Sequence, residues 1–257
     1  MRYRKSEAKE ASRAEFRGVW AAIPTPFTPD DRLDEAGLRR NMRHYTDALH
    51  VDGIFCTGTM GEFWALTKEE RKRAVEIVVE EAHGKCKVIA NTGHHSPNET
   101  ADLTRHAQDV GADFAIVINP YYPWASEDTL YNWFSTVAAR VDIGIWMFDT
   151  PFSGVAFSPQ LTARIAKIEN ICGIKCSRPL DHYATAQKLC GDTIVFSHPS
   201  ETEFLRLVRE NDMKVHMSSA APFLMQVAGW TPMRDYGELA LAGKFAEAQA
   251  LRDSIQP

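Results

Sequence analysis

Short apolar runs alternate with longer amphipathic stretches along most of this chain, and this alternation limits the folds it can adopt. Eight runs have the length and composition of buried strands: residues 19–23, 53–57, 88–91, 114–118, 143–148, 171–175, 194–197 and 215–218. Seven stretches between them have helical periodicity: residues 34–49, 68–82, 98–110, 127–139, 159–168, 182–189 and 201–210. Such alternation indicates an α/β fold in which helices cover parallel strands.

Eight strand–helix repeats predict a closed (β/α)8 TIM barrel, which suits a chain of 257 residues. A doubly wound open sheet would more usually show fewer strands and a glycine-rich phosphate loop, and the sequence contains no such loop. We expect residues 1–15 to form a charged, solvated arm, residues 16–219 the barrel, and residues 220–257 the last barrel helix with a short helical extension, including helices over 235–241 and 244–254.

Composition narrows the possible partners. A formal charge of -5 and a pI near 6.0 provide no basic face for nucleic acid, and no apolar stretch is long enough to cross a membrane. The five cysteines are odd in number and lie mostly beside apolar runs, which indicates reduced thiols in a cytoplasmic protein. Their spacing matches no zinc signature, so the sequence predicts no metal.

Lys175 is the residue of most chemical interest, because it ends the apolar run 171–174 where a buried strand is expected to reach solvent. A low-dielectric environment disfavours the ammonium form and lowers the pKa of a lysine from its usual value of ~10.4. A neutral amine can attack a carbonyl carbon, which is how Schiff-base lysines act. The segment alone also fits a solvated lysine just past a strand.

Active sites of such barrels lie where strands end and strand-to-helix loops begin. The candidate segments at these ends are Pro24-Thr25-Pro26, Thr57-Gly58-Thr59-Met60-Gly61-Glu62, Thr92-Gly93-His94-His95, Asn119-Pro120-Tyr121-Tyr122-Pro123-Trp124, Phe148-Asp149-Thr150-Pro151, Lys175 and His198. Lys175 is therefore expected to point into a pocket.

Three segments carry a family resemblance: Gly58-Thr59-Met60-Gly61-Glu62, Asn119-Pro120-Tyr121-Tyr122 and Gly173-Ile174-Lys175. In this order and at these separations they resemble the dihydrodipicolinate synthase and N-acetylneuraminate lyase family of Schiff-base aldolases, from about residue 16 to the C-terminus. The resemblance implies a cofactor-free lyase that forms an imine with a 2-oxo acid, usually pyruvate. It also implies a homo-oligomer, either a tetramer or a dimer.

The resemblance assigns roles residue by residue. Lys175 matches the imine-forming lysine, and Gly58, Thr59 and Met60 match the turn that binds the carboxylate of the oxo acid. Backbone N–H groups near a helix start are suited to binding an anion, although a tight loop without a ligand would have the same sequence pattern. Tyr122 matches a tyrosine that reaches a neighbouring subunit's site and shares a proton relay with Thr59, or else is an interface aromatic.

Two positions depart from the family pattern. Phe148 stands where the family carries a relay tyrosine, and a phenyl ring cannot transfer a proton. Met60 replaces a second hydroxyl residue of the carboxylate turn. In addition, the arginine that the synthases carry shortly after the strand-five proline has no counterpart in residues 152–154.

These replacements make the expected pocket mouth more apolar. The apolar side chains expected there are Met60, Phe148 and Trp124, with Trp64 and Phe152 as weaker candidates. They favour an apolar or aromatic substrate arm and resemble the pattern of the hydratase-aldolase branch. The alternative is that these side chains pack beneath the loops. Candidates for the missing hydroxyl are His94, His95, His198, Asp149 and Tyr122, with His198 preferred because histidine titrates near neutrality. Arg178 is expected to form a surface salt bridge, or else to pair with a substrate carboxylate. The alternatives are a sugar-acid aldolase or dehydratase, a dihydrodipicolinate-synthase-like enzyme, and a non-catalytic family member.

Overall fold

A computed structural model describes residues 2–121 and 126–255. Within these residues lie eight strands: β1 Gly18–Ala22, β2 Gly53–Cys56, β3 Lys87–Asn91, β4 Phe114–Ile118, β5 Ile145–Asp149, β6 Ile171–Cys176, β7 Val195–His198 and β8 Val215–Ser218. The strands follow one another in sequence order around a closed barrel, and the pairs are parallel. The predicted (β/α)8 barrel is confirmed.

The described helices are α1 Ala8–Glu15, α2 Glu35–Asp47, α3 Lys68–Ala82, α4 Pro97–Asp109, α5 Glu127–Ala138, α6 Pro159–Ile165, α7 Leu180–Cys190, α8 Phe204–Asn211, α9 Ala221–Met225, α10 Pro232–Leu241 and α11 Phe245–Ile255. Several begin at side-chain caps. Thr67 and Glu70 form a capping box at α3, and the Ser158 side chain accepts the N–H of Leu161 at the start of α6. None of the described helices combines the length and the hydropathy that a membrane crossing requires.

Many element bounds differ from the prediction by one to three residues, and two of them can be traced to local contacts or caps. β5 begins at Ile145 instead of residue 143, because the side chain of Gln108 accepts the N–H groups of Asp142 and Ile143. α8 begins at Phe204 instead of residue 201, after the N-cap Glu203.

The chain divides into two compact units, one of Met1–Phe16 with Ile89–Ser197 and the other of Arg17–Val88 with His198–Pro257. In the first unit, α1 packs beside β6, and its Ala8 and Ser12 are fully buried. The indole N–H of Trp146 donates to the Ser12 hydroxyl at 3.0 Å. The prediction that residues 1–15 form a solvated arm is therefore wrong over α1, because its small residues allow a close approach to the barrel.

Basic side chains of this N-terminal segment bind helix ends in the same unit. They donate to carbonyl groups as follows: Lys5 to Ala138 and Val141, Lys9 to Ala166, and Arg13 to Asp192 and Thr193. These carbonyls lie at or just beyond the C-termini of α5, α6 and α7. Cations at helix C-termini are favourable because the helix dipole places partial negative charge there.

Each unit contains the same contact between a tryptophan and a strand glycine. In the first unit Trp146 is in register with Gly173, and a Cβ on that glycine would lie 2.1 Å from the indole ring. In the second unit Trp20 is in register with Gly53, where a Cβ would lie 2.2 Å from the ring. Only glycine leaves room for a ring this close to the neighbouring strand.

In the second unit a buried ion pair holds the C-terminal helix. Arg252 of α11 donates to both carboxylate oxygens of Glu201 at 2.7 and 3.0 Å, and the Tyr236 hydroxyl of α10 donates to the same carboxylate at 2.8 Å. Fork-like pairing of this kind is geometrically specific. The predicted helices over 235–241 and 244–254 are present as α10, which begins three residues earlier, and α11, which is shifted by one residue.

Candidate active site

Lys175 is a buried lysine near the carboxyl end of β6. Its side chain is 3% exposed, and all six residues of β6 are buried. Register pairs it with Phe148 on β5 and with Ser197 on β7. Because side chains alternate along a strand, Lys175 shares a face with Gly173, while Ile174 and Cys176 lie on the opposite face.

Burial changes the acid–base chemistry of Lys175. Removal from water disfavours the ammonium form and lowers the pKa of Lys175 from 10.5 to about 7. A substantial share of the folded molecules therefore holds a neutral amine near pH 7, whereas a lysine of ordinary pKa is almost entirely ammonium there. The alternative of a solvated lysine does not fit this environment.

Phe148 lies beside the amine. Its ring is 4% exposed, and Nζ of Lys175 is 5.2 Å from the ring centroid. That distance allows a cation–π attraction for the protonated form. The ring thus occupies a position from which a side-chain hydroxyl could have reached the amine, and it offers no proton. Ser197 is the hydroxyl residue in register with Lys175, and strand pairing is needed to identify it.

Asp149 and Arg178 form a buried ion pair instead of facing the lysine. Asp149 is fully buried, and Nε and Nη2 of Arg178 lie 2.8 and 2.7 Å from its Oδ1. Arg178 Nη2 also donates to the carbonyls of Thr150 and Val155 at 3.0 and 3.2 Å. Burial raises the pKa of Asp149, and Arg178 partly offsets that rise. The expected surface salt bridge of Arg178 is therefore wrong: the guanidinium anchors the loop after β5.

Strand alternation explains why Asp149 cannot replace the missing hydroxyl. Asp149 pairs with Cys176, whereas the preceding pair joins Phe148 to Lys175. The two pairs face opposite sides of the sheet. On the side of Asp149 lies α7, whose His182 places Nε2 3.9 Å from Asp149 Oδ2.

His94 and His95 follow β3 in the same unit. Nδ1 of His94 accepts the N–H of Ser96 at 3.1 Å, so the proton of the neutral ring is on Nε2. The ring of His95 lies 3.8 Å from that of Tyr121, and its carbonyl accepts the indole N–H of Trp133. Tyr122 and Trp124, both selected from the sequence, lie outside the described residues.

The glycine turn belongs to the second unit. Thr57 and Glu62 at its two ends have positive φ angles of 49° and 50°. Inside the turn, the N–H groups of Gly61 and Phe63 donate to the carbonyl of Gly58, at 3.1 and 3.4 Å. Gly58 is required sterically, because a Cβ there would lie 2.5 Å from the ring of Phe55. The result is a fixed, tightly wound turn.

Two threonine hydroxyls, of Thr25 and Thr59, lie at the turn. The Thr25 hydroxyl donates to the carbonyl of Gly61 at 2.7 Å. The hydroxyl oxygen of Thr59 is buried and makes no hydrogen bond within residues 2–121 and 126–255. Met60 is 38% exposed and Trp64 is 59% exposed. The turn therefore contains the buried hydroxyl of Thr59, and the apolar side chains of Met60 and Trp64 are exposed together with the charged Glu62.

His198, at the end of β7, is 8% exposed. Its Nδ1 accepts the N–H of Ser200 at 3.2 Å, which puts the proton of the neutral ring on Nε2. In that tautomer the outer nitrogen is a hydrogen-bond donor and cannot act as a base.

A family model described as the dihydrodipicolinate synthetase family matches residues 15–257. This chain belongs to that family. A 4-hydroxy-tetrahydrodipicolinate synthase from Methylococcus capsulatus is 33% identical over 246 residues, which cover 94% of this chain and 81% of the relative. One from Methanothrix thermoacetophila is 44% identical over 161 residues, 62% of this chain and 54% of the relative's length. The crystal structure of dihydrodipicolinate synthase from Aquifex aeolicus has a TM-score of 0.84 at 31% identity, over 92% of this chain and 79% of that one.

The family membership predicted from three motifs is thus confirmed. In this family member, Lys175 and Phe148 lie together in one unit, while Gly58, Thr59 and Met60 form a defined turn in the other. The roles of these residues, and those of His198, Tyr122 and Trp124, stay predictions.

Proposed function

We propose that this protein is a class I carbon–carbon lyase, an aldolase or hydratase-aldolase, which forms a Schiff base between Lys175 and a 2-oxo acid. The observation that carries the proposal is the buried amine of Lys175 at the carboxyl end of β6, with a pKa of about 7. A lysine in this state is nucleophilic at neutral pH without any cofactor. The oxo acid is pyruvate or a close relative, released from or condensed with an apolar or aromatic partner.

The chemistry follows from the amine. Nζ attacks the keto carbon, the carbinolamine loses its oxygen as water, and a protonated imine results. When the bond between C3 and C4 of the oxo acid then breaks, the C4 hydroxyl loses its proton and C4 leaves as an aldehyde. The electron pair of the broken bond forms a C2–C3 double bond, and the imine pair passes to nitrogen, which gives an enamine. Protonation of the enamine carbon and hydrolysis release the 2-oxo acid and restore the amine.

Other residues are assigned supporting roles. The backbone N–H groups of Thr59 and Met60, in the turn after Gly58, are proposed to bind the carboxylate. His198 is proposed to donate a hydrogen bond to the substrate from Nε2, and Tyr122 to take part in proton transfer. Phe148 and Trp124 are proposed to line the apolar arm of the substrate.

Reductive trapping tests the nucleophile. Incubation with pyruvate and borohydride should add the mass of a reduced pyruvyl group to the peptide that contains Lys175, as measured by mass spectrometry. Lys175→Ala should abolish the adduct, whereas Lys188→Ala, at an exposed position on α7, should keep it. Label on a different lysine, or no label with any 2-oxo acid in a panel, would refute the proposal.

The carboxylate turn has a separate test. Pyruvate should be trapped far faster than acetone, because only pyruvate carries the anion. Thr59→Val removes the buried hydroxyl but leaves the backbone donors, and loss of one charge-assisted hydrogen bond of roughly 1.5–3 kcal/mol weakens binding about ten- to a hundredfold. Equal trapping of acetone and pyruvate would rule out an anion site.

Phe148 is the observation that favours a second candidate, a non-catalytic or impaired member of the family. If the ring is a wall for an apolar substrate, Phe148→Tyr adds a polar group against apolar surface, at a cost of about 1–3 kcal/mol, and lowers turnover of arylidene-type oxo acids. If the site is impaired, the new hydroxyl restores an acid–base group worth about 10²–10⁴-fold and raises activity on sugar acids. Activity of the unmutated protein on apolar substrates would support the first interpretation, in which the ring is a wall for the substrate.

Self-association is also proposed, as a dimer or a tetramer. Size-exclusion chromatography with light scattering gives the mass directly. A mass of 28.9 kDa at all concentrations tested would contradict it.

A further inference from the structure

Three side chains with metal-binding atoms meet on the face of β5 and β6 that is turned away from Lys175. They are the carboxylate of Asp149, the thiol of Cys176 and the imidazole of His182. One ligand atom from each lies within 4.8 Å of the other two. All three residues belong to the same unit of the chain, and the proposed lyase chemistry uses none of them.

Two of these ligand atoms have no hydrogen-bond partner among the described residues. Asp149 is fully buried, and its Oδ2 has no hydrogen-bond partner among the described residues, whereas Arg178 binds Oδ1. Nε2 of His182 is also buried and makes no hydrogen bond there. A buried carboxylate oxygen and a buried ring nitrogen, 3.9 Å apart and each without a hydrogen bond, are costly unless something bridges them.

The dimensions suit a small divalent cation. Three atoms no more than 4.8 Å apart can share a centre within about 2.8 Å of each, and zinc distances are ~2.0–2.3 Å to oxygen, nitrogen and sulfur. The remaining ~0.5–0.8 Å is within reach of His182, whose side chain is 23% exposed and can rotate. Thiolate, imidazole and carboxylate together are a set that zinc accepts and that magnesium or calcium does not.

We propose that Asp149, Cys176 and His182 form a zinc site that ties the ends of β5 and β6 to the first turns of α7. Zn²⁺ binds Oδ2, Sγ and Nε2, and the thiol proton is released to solvent as the Zn–S bond forms. A fourth position is left for water. Arg178 keeps its bonds to Oδ1, so the carboxylate is shared between the guanidinium and the metal. The site is independent of the proposed lyase function.

Sequence spacing could not have shown this site. Its members lie on two strands and a helix, and they combine no pair of the kind that defines a zinc motif. The sequence therefore predicts no metal, and the inference comes from strand register, which sets Asp149 directly beside Cys176.

Metal binding by the full-length protein tests the proposal. After chelator treatment, equilibrium dialysis against Zn²⁺ and elemental analysis should give one zinc per chain. Cobalt substitution should give the intense visible absorption of a tetrahedral ion and a sulfur-to-cobalt charge-transfer band. Cys176→Ser should remove that band. His182→Gln should lower zinc affinity by at least about 100-fold, because loss of a direct ligand costs more than loss of a residue that only supports a ligand.

Matched variants outside the cluster supply the controls. Cys190→Ser, at a buried thiol of α7, and His83→Gln, at an exposed histidine, should bind zinc as the parent does. Because Cys176→Ser alters a buried position, circular dichroism checks its fold, and the partly exposed His182→Gln supplies an independent result. Zinc should also raise the thermal midpoint of the parent but not of His182→Gln. Less than stoichiometric zinc in the parent, or equal affinity in parent and His182→Gln, would overturn the proposal.

Discussion

The buried amine of Lys175 should make the stability of this protein depend on pH in a defined direction. In the unfolded chain the lysine keeps its proton up to about pH 10.5, whereas in the folded protein burial lowers its pKa to about 7. Between these values the unfolded state binds more protons. The free energy of unfolding therefore rises with pH across this window, and the Lys175 penalty is fully present below pH 7 and absent above pH 10.5.

The magnitude follows from the two pKa values. At pH 7 the buried lysine costs about 4 kcal/mol, and at pH 9 it costs about 2 kcal/mol, since each pH unit inside the window is worth about 1.4 kcal/mol. Lys175→Met removes the titrating group and keeps an apolar stem of similar length. The variant should therefore be more stable than the parent, by about 4 kcal/mol at pH 7 and about 2 kcal/mol at pH 9, before any packing difference.

Urea denaturation at the two pH values measures this effect. The difference between parent and Lys175→Met cancels the titration of the other groups, and equal m-values show that the two unfolded states are comparable. Lys188→Met, at an exposed position, should show no pH-dependent difference. A parent-to-variant difference that is the same at pH 7 and pH 9 would refute the reasoning, because Lys175 would then carry an ordinary pKa.

Two further changes probe contacts that the structure revealed. Arg178→Met should destabilise the protein by about 3–5 kcal/mol in urea denaturation, because it leaves the carboxylate of Asp149 buried without its partner; Asp149→Asn in the same background should recover part of the loss, and no recovery would mean that the pair is not the cause. Lys9→Met should lower the free energy of unfolding by about 1 kcal/mol, because it removes a cation from the C-terminus of α6; an unchanged midpoint would show that α1 docks through its small residues alone.

The barrel was predictable because its strands are buried on both faces. β1, β4 and β6 have every residue buried, so each reads as an unbroken apolar run that stands out between amphipathic helices. The same signal located Lys175, since a lysine at the end of such a run is conspicuous. The prediction ended the strand at the lysine, whereas β6 continues through Cys176.

Other features depend on contacts that a sequence pattern cannot convey. α1 is rich in charge and buries only the small residues Ala8 and Ser12, so its composition resembles a solvated segment. The sequence marks Arg178 and Asp149 as separate candidates, but their pairing spans 29 residues and requires the strand ends to be placed first. Likewise, the register of β5 against β6 is needed to show that Phe148 pairs with Lys175 whereas Asp149 pairs with Cys176 on the opposite face.

We expect Phe148 to have two opposite effects on the pKa of Lys175. The ring excludes water, which favours the neutral amine, but its face also attracts the ammonium from 5.2 Å. Phe148→Leu keeps the site apolar and removes only the attraction, which is worth ~1 kcal/mol, so the pKa of Lys175 should fall by about half to one pH unit. NMR titration of the lysine ε-carbon in ¹³C-lysine-labelled protein measures this, with Phe134→Leu, at another buried ring of the same unit, as the control. A pKa that rises in Phe148→Leu would mean that the ring acts chiefly by keeping water out, and that its quadrupole contributes less than the hydration it prevents.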